Sequence, residues 1–322
     1  MTGLRVSPSP HRSSGLSTQK LMLMVIIALL PAAVTGCVYF GFHAAFVLIE
    51  TIIYCVVFEA LFNVVTKRTQ TVSDLSAVVT GLLLGMNLPA TVPFYVPLIG
   101  SFFAIVIVKQ LFGGIGQNFA NPAIAARIVL MVSFSSHMTN WMIPFSYKTD
   151  VVTGATPLAA GWYNNGSAMV SPFTWQDMLL GKTGGCIGET CALALIIGGI
   201  FLIVTKVISP ATPAAFIGVF AVLTLLYTGS LTMTVYQLLA GGLMIGAFFM
   251  VTDYATTPLT TKGKLVFGAG CAVITFVIRQ FGSFPEGVSF SILLMNLLTP
   301  YIDKLCRTHP LGAKKPVKEA AK

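Results

Sequence analysis

The run Asp150-Val-Val-Thr153-Gly154-Ala155-Thr156-Pro157-Leu158 places two threonine hydroxyls and an aspartate in a stretch punctuated by glycine and proline. On residue chemistry alone it is a turn, its hydroxyls bonding nearby backbone. Its setting argues for more. It lies in a long polar interval of a chain with few such intervals, and loops held on a rigid scaffold are where binding and chemistry concentrate. Trp141, Tyr147, Trp162, Tyr163, Phe173 and Trp175 flank it, suited to stacking on a planar ring or to anchoring at a membrane surface. A second stretch, Gly113-Gly114-Ile115-Gly116, leads into Asn118, Asn121 and Pro122. It is no dinucleotide loop, because no strand precedes it and no βαβ pattern surrounds it. A broken, glycine-rich segment opening a helix, its amides facing an anion or a carbonyl, fits the context better.

Acids inside apolar runs are few. Glu50 and Glu59 share one run nine residues apart, about 900° of helical rotation, so they occupy opposite faces. A carboxylate at the centre of a membrane helix costs about 2.5 kcal/mol or more, so Glu59 is expected to have a partner or to line an ion path. Arg127 is a candidate partner, or a ligand contact. Asp253, between Thr252 and Thr256, is a second ion-path candidate; capping is the structural alternative for it and for Asp74. The six cysteines show no C-x-x-C or His-paired spacing, so they read as small hydrophobes, and no metal centre or catalytic residue is expected.

The elements that carry these residues are apolar runs. Hydrophobic residues make up 55% of the chain and charged ones 9%, against roughly 25% charged in soluble domains, and the mean hydropathy is +0.85. Lipid must be the solvent. Runs at 21–40, 46–65, 75–88, 94–112 and 122–134, then at 191–207, 211–227, 235–251, 265–278 and 288–301, predict an all-α integral membrane protein of about ten helices. A crossing needs about 20 residues, so the runs at 75, 122 and 265 are expected to be short or broken. Val34-Thr35-Gly36-Cys37 mimics a lipoprotein cleavage site, but the polytopic context favours a retained first helix.

With the N-terminal arm (1–20) in the cytoplasm and ten crossings, fourteen of the nineteen basic residues fall inside, including the tail (304–322). The interval 136–190 then lies outside. The net charge of +9 is spread over arm, tail and connectors, and no soluble basic domain exists to bind nucleic acid. The halves, 21–135 and 191–303, echo one another. Gly81 and Gly85 match Gly242 and Gly246, Ala90–Pro93 echo Ala255–Pro258, and Phe112-Gly113 matches Phe281-Gly282. Five spans per half, an odd number, makes such repeats inverted, with a site expected where their short, glycine-interrupted helices meet.

The motif D-x-x-T-G-A-T-P resembles the flavinylation motif of the RnfD/NqrB family, which comprises the D component of the Rnf complex and the related B component of Na⁺-translocating NADH:quinone reductase. Four further segments resemble the family in order: Gly113 to Pro122, Gly184 to Ala194 with Gly188-Glu189-Thr190, Phe249 to Pro258, and Pro285-Glu286-Gly287 to Asn296. The resemblance implies FMN held as a phosphoester on Thr156, with Asp150, Thr153, Gly154 and Ala155 completing the motif and Arg127 and Asn121 as candidate flavin contacts. It implies a second, non-covalent flavin (riboflavin) in some members, a flavin transferase for maturation, and sister components RnfA, RnfB, RnfC, RnfE and RnfG handling ferredoxin and NAD⁺. The expected function is electron relay within a redox-driven Na⁺ or H⁺ pump of the bacterial cytoplasmic membrane. A non-redox transporter or channel with inverted repeats is the alternative.

Overall fold

The computed structural model describes residues 17–146, 153–154, 156, 158, 174–282 and 286–307. All ten apolar runs are helical. In the first half these are α1 (Thr18–Phe40), α2 (Phe42–Val65), α3 (Ser76–Met86), α4 (Tyr95–Phe102, continued by a π-helix Phe103–Gln110) and α5 (Pro122–Ser133). The polar interval carries α6 (Ser135–Met138), the strands β1 (Trp141–Met142) and β2 (Thr153–Gly154), and α7 (Trp175–Leu180). The second half holds α8 (Ala192–Val204), α9 (Ala211–Thr228), α10 (Leu231–Leu239), α11 (Leu243–Ile245, continued by a π-helix Gly246–Met250), α12 (Thr261–Phe281) and α13 (Val288–Leu305).

The chain is an all-α, multi-pass membrane protein. Among the described residues α1, α2, α9 and α12 are long and apolar enough to cross a membrane alone, and the bent pair of α10 with α11 and its π turn makes five if counted as one span. Of the shorter apolar helices, α3 is buried along most of its length and, with 11 residues, reaches only about 17 Å. The helices turn their polar residues inward. On α2, Phe46, Ile49, Ile53, Val57 and Leu61 are exposed at helical spacing, while Thr51, Cys55, Glu59 and Asn63 are buried. That is the arrangement a lipid solvent favours, with polar groups kept for the bundle interior.

Local sequence explains where the helices start. Asn121 caps α5 by accepting from the Ala123 and Ile124 amides at 3.1 and 3.4 Å, with Pro122 in the first turn, a position where its missing N–H costs nothing. Thr260 caps α12 through the Gly263 amide at 3.0 Å. Two expectations need correction. The run at 265 is not short: α12 spans 21 residues, because Lys262 and Lys264 extend its first turns and Arg279 its last. The broken helix is the eighth run instead, where α10 and α11 meet at 70°. Gly241, at φ +63, adopts a left-handed conformation that only glycine tolerates readily there.

The two halves interlock. α1 packs against α8 and α5 against α13, each with its sequence counterpart in the other half. The segment ahead of α8 dips into the first half. The Gly188 amide donates to Met86 O at 2.7 Å and the Ile187 amide to Leu88 O at 3.1 Å, so irregular backbone is satisfied by carbonyls at the end of α3.

Close approach along the α1–α8 seam depends on Gly198. A Cβ there would collide with the Ala28 carbonyl oxygen and meet the Phe249 ring at 3.1 Å. Gly198→Ala is expected to cost about 1–3 kcal/mol by overpacking. Gly218→Ala on α9, where a Cβ meets nothing within 4 Å, should be neutral or stabilising. Thermal unfolding in detergent, read for the two variants side by side, checks the contrast; equal effects would show that the seam is not closely packed.

Candidate functional site

The sequence-predicted residues fall at three places along the joint between the halves. The first is the polar interval. β1 and β2 pair antiparallel, Trp141 opposite Gly154 and Met142 opposite Thr153, so the motif's Thr153 and Gly154 form a strand. A Cβ on Gly154 would press on the Ile143 side chain at 3.1 Å. Thr156 is buried, 3% exposed, whereas the sequence suggested an accessible segment. Leu158 packs with Met178 of α7 and Ala240, which draws the motif down onto the break between α10 and α11. Asp150 and Ala155 lie outside the described residues, as do Tyr147, Trp162, Tyr163 and Phe173; Trp141 is buried and Trp175 exposed. Outside the spans, α7 opens with a capping box, and the Thr174 hydroxyl and amide hold the Asp177 carboxyl below the usual carboxylate range.

The second place is a buried charge cluster. Arg127, on α5, is 2% exposed. Its Nη1 donates to Asn87 Oδ1 and its Nη2 to Glu189 Oε1, each at 2.6 Å, and Nη2 also donates to Glu286 Oε2. Cys186 Sγ lies 3.6 Å from the same Nη2. Arg127 is therefore not the partner of Glu59, as the sequence allowed, but ties α5 to the segments that open α8 and α13. The Glu59 partner is Lys109: Nζ to Oε2 is 2.7 Å, with both side chains buried. Thr71 Oγ1 donates to Glu59 Oε1 at 2.6 Å, and Lys109 Nζ also donates to Ser76 Oγ at 2.6 Å. Glu50, on the opposite face of α2, is only partly buried.

The third place is a cavity of about 420 Å³ whose wall includes Lys109, Asn118 and Asn121 from the first half and Asp253, Thr299 and Asp303 from the second. Asn121 caps α5 and also donates to Met250 O at 3.4 Å; Asp253 accepts from Thr256 Oγ1 at 3.2 Å. The capping role and the cavity-wall role coexist. Asn118 Oδ1 is buried with no hydrogen-bond partner among the described residues. The glycines at 113, 114 and 116 all have positive φ, and Ile115 and Gly116 belong to the cavity wall.

Similarity to known proteins fits this arrangement. The sequence model of the NQR2, RnfD, RnfE family matches residues 5–312. The chain belongs to this family. It is 45% identical to the D component of the Na⁺-translocating ferredoxin:NAD⁺ oxidoreductase complex of Acetobacterium woodii, over 98% of both chains. It is 43% identical to the D component of the proton-translocating ferredoxin:NAD⁺ oxidoreductase complex of Clostridium ljungdahlii, over 96% of both. It is 34% identical to the D component of the ion-translocating oxidoreductase complex of Actinobacillus succinogenes, over 96% of this chain and 98% of the relative. Within this family fold, sequence reasoning gave no role to Asn87, Lys109, Cys186, Glu189 or Glu286. The one local signal was an acid just ahead of an apolar run, in Gly188-Glu189-Thr190 and Pro285-Glu286-Gly287.

Glu59→Gln leaves Lys109 buried and uncompensated, a change that costs about 3–5 kcal/mol where measured in soluble cores. The double variant Glu59→Gln/Lys109→Met should recover most of that stability. Thermal melts of the three proteins decide it. If the single variant is as stable as the parent, the pair carries no structural load.

Proposed function

We propose that this chain is the flavin-carrying membrane component of an ion-translocating ferredoxin:NAD⁺ oxidoreductase complex, inactive alone and relaying electrons within the assembly. The observation that carries the reading is an unbroken D-x-x-T-G-A-T motif in a chain similar, end to end, to relatives bearing that name. The partners are then the sister components RnfA, RnfB, RnfC, RnfE and RnfG, membrane lipid, and a flavin transferase that loads FMN onto Thr156. The setting is the bacterial cytoplasmic membrane, with both termini inside.

The residues present suit a flavin at both ends of the joint. Beside Thr156, the apolar side chains of Leu158, Met178 and Ala240 offer a wall for a ring system. Arg279, whose Nη2 lies 3.4 Å from where a Gly241 Cβ would sit, brings a cation to the same break, suited to a phosphate. At the cavity, a volume of about 420 Å³ falls in the range of small-molecule sites. The unpartnered Asn118 carbonyl oxygen would accept a ring N–H of a second, non-covalent riboflavin. When bound, such groups supply one- and two-electron chemistry; the chain positions them, shields them from water and balances their charge. Burial of Thr156 means that the transferase must reach its hydroxyl before the motif docks. The energy scale is workable. Moving one charge against about 150 mV takes about 3.5 kcal/mol, and a two-electron drop of about 100 mV releases about 4.6 kcal/mol. Glu59, through Lys109, and Asp253 flank the cavity and are the ion-path candidates.

Thr156→Ala should abolish covalent flavin, because a phosphoester needs the hydroxyl, while Thr153→Ala keeps the attachment atom. In-gel fluorescence of denatured bands, in a host expressing the transferase, reads this directly. A fluorescent Thr156→Ala band, or a wild-type band that never fluoresces in that host, refutes covalent attachment and favours the non-redox transporter.

The topology has its own check. Gln176→Cys, at an exposed position of α7, should react with an impermeant maleimide in intact cells. Labelling only after the membrane is opened would invert the chain and put the motif inside.

A further inference from the structure

We infer that Glu189 and Glu286 share one monovalent cation, a proton or a sodium ion, at the centre of the joint between the halves. This assignment stands on the charged groups around Arg127 and not on the flavin reading.

Both carboxylates bond to the same guanidinium nitrogen, Arg127 Nη2. One oxygen of each and the Cys186 sulfur lie within 4.8 Å of one another, and Glu189 and Glu286 are each 6% exposed. Two carboxylates this close on one guanidinium nitrogen repel each other in a medium of low dielectric, and an added positive charge relieves that repulsion. Glu286 supplies the place for it. Its Oε1 is buried with no hydrogen-bond partner among the described residues, while its other oxygen is engaged by Arg127. A protonated Glu286, or a small hard cation held between the two carboxylates, satisfies that oxygen and relieves the repulsion between Glu189 and Glu286.

Among the described residues, the other charged group facing the cluster is Arg279 of α12. It gives its Nη1 and Nη2 to Gln237 O and Ala240 O at 2.7 and 3.1 Å. The elements around the cluster therefore add Arg279 at longer range, Asn87 as an acceptor on Arg127, and the thiol of Cys186. A divalent ion is disfavoured, because the guanidinium already holds one oxygen of each carboxylate and would lie beside it. The position matters for transport. The site is built from α5 of one half and the openings of α8 and α13 of the other, so any movement between halves changes the distance between Arg127 and its two carboxylates.

Infrared difference spectroscopy of the assembled complex in lipid nanodiscs tests this. In sodium-free buffer at neutral pH, the wild type should show one protonated carboxyl per chain that is absent in both Glu286→Gln and Glu189→Gln, because either substitution leaves the remaining glutamate alone with Arg127 and ionised. Asp253→Asn, made in parallel, should keep the band, which preserves the assignment even if a glutamate variant fails to assemble. Adding sodium chloride, with choline chloride as the control, separates the two sources. Loss of the band on sodium addition identifies exchange of the proton for sodium; persistence identifies a proton site. A sodium-free wild-type spectrum with no protonated carboxyl, or one whose band disappears in Asp253→Asn and survives in Glu286→Gln, overturns the assignment.

Discussion

A guanidinium buried where two five-helix halves meet organises this protein. Arg127 cannot shed its charge and cannot reach water, so the fold must deliver acceptors to it: Asn87 from the end of α3, Glu189 from the segment ahead of α8, and Glu286 from the segment ahead of α13. In lipid there is little hydrophobic drive to bring helices together, because acyl chains are as apolar as leucine side chains. Unsatisfied charge takes over that role. An Arg127 left without its carboxylates would be worse off than almost any alternative packing, which makes the joint specific in a way that its apolar contacts are not. The short helices follow from the same need. The segment that carries Glu189 inward stops being helical, and its backbone is tolerated there because the end of α3 supplies acceptors for the Ile187 and Gly188 amides.

How much of this the sequence disclosed depends on the range of the interaction. Apolar runs located the helices to within a few residues: 211–227 against Ala211–Thr228, 122–134 against Pro122–Ser133. That is expected where solvent choice alone decides the pattern. The run 235–251 hid a break because glycine is neutral on a hydropathy scale, and only the Gly241-Gly242 pair marked it. The run 265–278 looked short because flanking Lys262, Lys264 and Arg279 truncated it, yet basic side chains near helix ends carry their charges toward the interface or toward carbonyls. Partners were another matter. Glu59 and Lys109 are 50 residues apart, Arg127 and Glu286 are 159 apart, and no periodicity links them. The reading that Glu59 needs a partner was sound physics; the choice of Arg127 over Lys109 had no geometric basis in the sequence.

The motif illustrates the opposite limit. Asp150 to Thr156 is legible as a unit because all its residues are local, and the structure adds where its described end docks. Leu158 is pinned between α7 and Ala240, so the motif sits over the break in the eighth run rather than on a free loop. A family resemblance supplies the chemistry expected of such a threonine; it does not supply this seat.

Gly241 and Gly242 join these observations into one arrangement. A Cβ on Gly241 would lie 2.5 Å from Leu158 Cδ1 and 3.4 Å from Arg279 Nη2. A Cβ on Gly242 would lie 2.8 Å from Glu189 Oε1 and 3.2 Å from Arg127 Nη1. Two consecutive residues without side chains thus separate the motif's anchor from the charge cluster, and nothing larger would fit between them. Beyond Gly242 the chain runs as α11 and a π-helix to Met250, whose carbonyl accepts from the cavity residue Asn121. One short, irregular helix therefore touches the motif's anchor at its head, the Arg127 cluster one residue later, and the cavity wall at its foot. A π-helix is the least favourable of the helical hydrogen-bonding patterns and recurs at functional sites. Its placement here lets one element touch the motif's anchor, the Arg127 cluster and the cavity wall.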